Sequence, residues 1–98
     1  MIIVKKWVKE NGYRYNRKMS KELMKILGDL QDPKVEDQTL TAATPLGRVK
    51  AQLLKGNVLQ VVRSNPVEEE ISYYFFENGK FIQTSHELVW KSEDSGEH

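Results

Sequence analysis

The sequence predicts a small α+β domain: an antiparallel sheet of five to six strands, in the order ββαββββ, with one amphipathic helix packed on it. Three observations lead there. β-prone runs recur between turn dipeptides, one leucine stripe keeps helical spacing, and 98 residues is a common size for a single core. Residues 1–91 are expected to form one domain, and 92–98 a disordered polar tail.

The first run, IIVKKWVK, reads as a strand with Ile3, Lys5, Trp7 and Lys9 on one parity. Glu10-Asn11-Gly12 is a turn signal, after which Tyr13 and Tyr15 share a face in a short second strand. The helix follows, with Ser20 as its expected N-cap and a staple between Met19 and Met24. Leu23, Leu27 and Leu30 form its apolar stripe. Gly28 weakens the last turn, and Asp32-Pro33 is expected to end it. The stretch from Pro33 to Asp37 reads as a loop.

From Gln38 the chain reads as a meander. Leu40 and Ala42 face one way in TLTAAT, and Pro45 breaks that strand or bends it into the next. Between Leu46 and Leu54, Val49, Ala51 and Leu53 alternate with Arg48, Lys50 and Gln52, the pattern of a strand with one wet face. Gly56-Asn57 turns the chain into VLQVV, and Ser64-Asn65-Pro66 with Glu68 to Glu70 reads as a connection.

The most informative stretch is ISYYFFENGKFIQT, residues 71 to 84. Asn78-Gly79 suits the two positive-φ positions of a type I′ turn. That turn pairs Glu77 with Lys80, Phe76 with Phe81, Phe75 with Ile82 and Tyr74 with Gln83. Tyr74, Phe76 and Phe81 then share one face, and Ile71, Tyr73, Phe75 and Ile82 the other. Five of the nine aromatic residues lie here, and both faces are apolar, so both sides of this sheet want cover. One helix can cover only part of one face. After Thr84, HELVWKS reads as a last short strand or one helical turn docked by Trp90.

Composition narrows the chemistry. With no cysteine, disulfides, thiolate catalysis and cysteine-based zinc sites are excluded. Ser85 and His86 are adjacent, so their side chains diverge in an extended strand, and no phosphate-binding glycine loop or H-E-x-x-H helix occurs. No catalytic residue, metal site or cofactor is expected. Glu68-Glu69-Glu70 and His86-Glu87 lack the spacing of a calcium or zinc site. No apolar run is long enough to span a bilayer and MIIVKKWVKE does not read as a signal peptide, so the expected location is cytoplasmic, with no membrane partner.

The net charge is only +1, but residues 1–25 hold eight Lys or Arg against two Glu, while residues 66–98 hold two Lys against eight acids. These observations predict a non-enzymatic protein-binding module, regulatory or inhibitory in role. Its expected anchors are Tyr74, Phe76, Phe81 and Trp90, and its partner another protein or a second copy of the chain. The alternative is a nucleic-acid-binding module. Arg14, Arg17, Lys18, Lys21 and Lys25 would meet phosphates, and Trp7, Tyr13 and Tyr15 would stack on bases.

Overall fold

Eight residues at the N-terminus fit two periods, and packing chooses between them. Alternation puts Lys5 and Lys9 beside Trp7, whereas helical spacing gathers Val4, Trp7 and Val8 on one side and turns Lys5, Lys6 and Lys9 outward. The computed structural model, which describes residues 2–14 and 17–91, has the helix. This α1 spans Ile2–Glu10, with Val4, Trp7 and Val8 fully buried. The expected first strand is thus corrected, because only the helix hides the tryptophan while keeping the lysines wet.

Glu10-Asn11-Gly12 is the end of that helix rather than a β-turn. Gly12 has φ +83°, its N–H donates to the Lys9 carbonyl at 3.0 Å, and the Tyr13 N–H donates to the Val8 carbonyl at 3.2 Å. That pair of bonds is a Schellman cap. Tyr13 leads out of it in irregular backbone, so the expected second strand is not formed there; Tyr15 lies outside the described residues.

The helix α2 spans Arg17–Leu27 and buries Met19, Ser20, Leu23 and Leu27. It begins four residues earlier than expected, so Ser20 sits inside the helix, buried, and does not cap it. Gly28, at φ +82°, ends it: its N–H reaches the Met24 carbonyl at 2.9 Å, five residues before Pro33 is met. Arg63, from the sheet, donates to the exposed carbonyls of Ile26 and Leu27.

The sheet is a six-stranded antiparallel meander, β1 (Gln31–Glu36), β2 (Thr39–Thr44), β3 (Gly47–Leu54), β4 (Val58–Ser64), β5 (Glu68–Glu77) and β6 (Lys80–Trp90), in sequential order. The α+β class and the antiparallel sheet are as predicted. The element order is ααββββββ, however, with two helices instead of one. The segment expected as a loop from Pro33 is the edge strand β1, where a missing N–H costs no ladder bond. Its pairing shifts between Gln31 and Lys34, with Asp32 at φ 50°. Glu68 to Glu70, expected as a connection, begin β5 and pair with Leu88 to Trp90. HELVWKS likewise continues the long strand β6.

The β5–β6 hairpin matches its predicted pairing residue by residue. Glu77 pairs with Lys80, Phe76 with Phe81, Phe75 with Ile82 and Tyr74 with Gln83, around Asn78 and Gly79 at φ 54° and 77°. A bulge follows between Tyr73 and Tyr74. The tight β2–β3 turn demands glycine. A Cβ at Gly47, φ +135°, would sit 2.5 Å from the Ser64 carbonyl oxygen.

One core joins helices to sheet. Trp7, Leu23, Leu27, Leu40, Ala51 and Leu59 are all fully buried in it. Trp7 also donates its indole N–H to the Gln38 carbonyl at 3.0 Å, fixing α1 over the β1–β2 turn. Tyr13 donates its hydroxyl to the Leu54 carbonyl at 3.1 Å. No helix among the described residues is long and apolar enough to cross a membrane.

Candidate protein-binding surface

Both helices pack against the same side of the sheet. Every inward strand residue in the core, from Leu40 and Ala42 through Val49, Ala51, Leu59 and Val61, lies on one parity. Along β5 that parity continues as Ser72, Tyr74 and Phe76, and crosses to Phe81. Three of the four expected anchors therefore belong to the core side. Tyr74, Phe76 and Phe81 are half-buried against it, with the Phe76 and Phe81 rings 4.7 Å apart between centroids. Trp90 shares their parity but lies past the helices, at the far end of β6, and is 67% exposed. The four do not form one surface. Tyr74, Phe76 and Phe81 lie on the helix side of the sheet, half-buried against the core.

Among the described residues no helix packs on the opposite parity, and strand register sorts it into rows. Nearest the β5–β6 turn, Leu54 pairs with Val58, Val58 with Phe75, and Phe75 with Ile82. The next row is polar: Gln52, Gln60, Tyr73 and Ser85, with the Gln60 amide donating to the Tyr73 hydroxyl at 2.9 Å. The third runs Lys50, Val62, Ile71, Glu87, and the fourth Arg48, Ser64, Glu69, Val89. Antiparallel partners present their side chains on the same face, so these rows are contiguous. Leu54, Phe75, Ile82 and Val89 are all exposed, Ile82 by 51%. The surface is apolar toward the β5–β6 turn, with Arg48 and Lys50 on β3, Glu69 on β5 and Glu87 on β6 toward its other end.

Sequence reasoning weighed Ile71, Tyr73, Phe75 and Ile82 as a face but missed its extension into Leu54, Val58 and Val62. The signal was present. VLQVV, like YYFF, carries apolar residues on both parities.

The basic residues are placed differently. Arg14 precedes α2, and Arg17, Lys18, Lys21 and Lys25 are exposed along it, with Lys25 3.6 Å from Glu22. The rings expected to stack with them are not on that ridge: Trp7 is fully buried and Tyr13 half-buried and tied to Leu54. Tyr15 lies outside the described residues.

A shallow hollow of about 550 Å³ opens on the helix side beyond the edge of α2, lined by Arg63, Glu70, Ser72, Tyr74, Gln83 and His86 among others. Its charged groups already serve one another or the fold. Glu70 meets His86 Nε2 at 2.7 Å, and Arg63 holds the end of α2. Ser85 points to the other face of β6 from His86, so the two do not converge. No cluster of three or more metal-ligating side chains occurs among the described residues. Neither a family model, nor a curated protein, nor a solved structure matches the chain.

Proposed function

We propose that this chain is a small non-enzymatic protein-binding module, regulatory in role, which works through the bare face of β3 to β6. One observation carries the reading: the Leu54–Val58–Phe75–Ile82 row, with Val62 and Ile71 two rows further on, lies on the sheet face opposite the one that both helices pack against. Apolar and aromatic side chains, bordered at one end by Lys50, Arg48, Glu69 and Glu87, have the make-up of a recognition patch. Burying them against a partner releases water at roughly 25 cal/mol per Å² of apolar area, whereas burying them in this monomer is closed off by strand parity.

The test uses the immobilised chain in an extract of its source cells. Replacing both Phe75 and Ile82 by Lys is expected to leave the far-ultraviolet circular dichroism unchanged and abolish capture of the bound protein. Capture by the wild type is expected to survive high salt. Unchanged capture by the double variant would sink the reading.

The second reading, nucleic-acid binding, is favoured by the four cations exposed along α2. It predicts the reverse pattern. Binding would fall steeply as salt rises, and Lys18→Glu with Lys21→Glu would remove it while the Phe75 and Ile82 substitutions spare it.

A further inference from the structure

The bare face is self-complementary, and we infer that its occupant is a second copy of this chain, packed face to face as a β-sandwich. The inference rests on reading this face as a protein-recognition surface, and names the partner. Consider a twofold axis parallel to the strands, running between β4 and β5. It lays β4 over β5 of the second copy and β3 over its β6, while each row stays opposite itself. Leu54 then meets Ile82 of the other copy, Val58 meets Phe75, and Val62 meets Ile71. In the polar row Gln60 meets Tyr73. In the charged row Lys50 meets Glu87, twice by symmetry.

No like charges oppose one another in this arrangement, since Arg48 falls on Val89 and Ser64 on Glu69. An axis perpendicular to the strands fails the same check. It would reverse the rows, setting the Leu54 row over the Arg48 row and Lys50 over Gln52. Charge and hydropathy together therefore select one orientation. Lys50 and Glu87 are both exposed and belong to no ion pair within the described residues, so each is free to meet its counterpart. Aligned sheets stack about 10 Å apart, a spacing that side chains of the size of Phe, Val and Ile fill from both sides.

Four strands about 4.8 Å apart and about eight residues long give a footprint of roughly 500 Å² per copy, at the small end for a specific interface. A reversible dimer with a dissociation constant in the micromolar range, on the order of 1–100 µM, is expected.

Light scattering after size exclusion, on the full chain from about 1 µM to about 1 mM, reads this out. The wild type should move from 11.4 kDa toward twice that mass as concentration rises. Lys50→Glu and Glu87→Lys should each raise the dissociation constant about tenfold or more, and the two together should restore it to within about threefold. Phe75→Lys should remain monomeric. A wild type monomeric throughout, a dimer indifferent to Phe75→Lys, or a charge swap that fails to rescue would each overturn the proposal. The broader reading fails separately. A monomeric wild type whose partner capture is still lost on replacing Phe75 and Ile82 keeps the recognition face and loses only the second copy.

Discussion

β5 presents two surfaces of nearly equal hydrophobicity with different fates. On its helix side Tyr74 and Phe76 pack against the core, and Ser72 is buried. On its other side Ile71 and Tyr73 are half-buried, and Phe75 is 37% exposed. The neighbours Phe75 and Phe76 thus differ in burial because parity, rather than side-chain character, decides which layer each one meets. The difference teaches that an apolar sequence marks a demand for cover, while the position of the helices decides where the demand is met within the chain.

The sharpest way to break this comparison is to remove what covers the inner face. Trp7→Ala is expected to cost about 3–5 kcal/mol, since it empties a fully buried indole site and leaves the Gln38 carbonyl without that donor. Denaturant unfolding measures it. A loss below about 1 kcal/mol would show that α1 is not part of the cooperative core.

A smaller effect is expected at Gly47, on which the register of the inner face depends. Gly47→Ala forces a Cβ toward the Ser64 carbonyl at a backbone angle that side chains avoid, and should cost about 1–3 kcal/mol. A thermal scan should then drop by roughly 4–8 °C for each kcal/mol lost. An unchanged melting temperature would mean that the β2–β3 turn relaxes freely.

The comparison is sharpened most directly within β5 itself. Phe76→Ala should cost about 2 kcal/mol, because its ring packs against Phe81 and the core. Phe75→Thr, one residue away, should change monomer stability by less than about 0.5 kcal/mol when measured at low concentration. Equal costs at the two positions would mean that the outer face is covered within the monomer.

The hairpin was legible because everything that defines it is local. Asn78-Gly79 supplies the positive φ angles, and the two-residue turn then sets every pair up to Tyr74 and Gln83. The same holds for β2 to β4, where Val49, Ala51 and Leu53 alternate with polar neighbours. α1 was not legible, because over eight residues IIVKKWVK satisfies both periods and only Trp7 docking over the β1–β2 turn separates them. β1 was hidden by Asp32-Pro33, which reads as a stop but is tolerated at a sheet edge. At the candidate surface, the two parities of the hairpin were readable, but assigning Tyr74, Phe76 and Phe81 to binding required knowing where α2 lies.

By itself, then, the sequence determined the meander, the hairpin register and the presence of apolar side chains on both faces of β4 and β5. Those follow from turn chemistry and side-chain alternation, which act over a few residues. Tertiary structure alone decided that the N-terminal run is a helix, that both helices share one face, and that Phe75 and Ile82 are more exposed than Tyr74 and Phe76. Those outcomes depend on contacts such as Trp7 with Gln38 and Arg63 with the end of α2, formed between residues more than thirty positions apart. No local pattern encodes them, because their energy exists only once the sheet has formed.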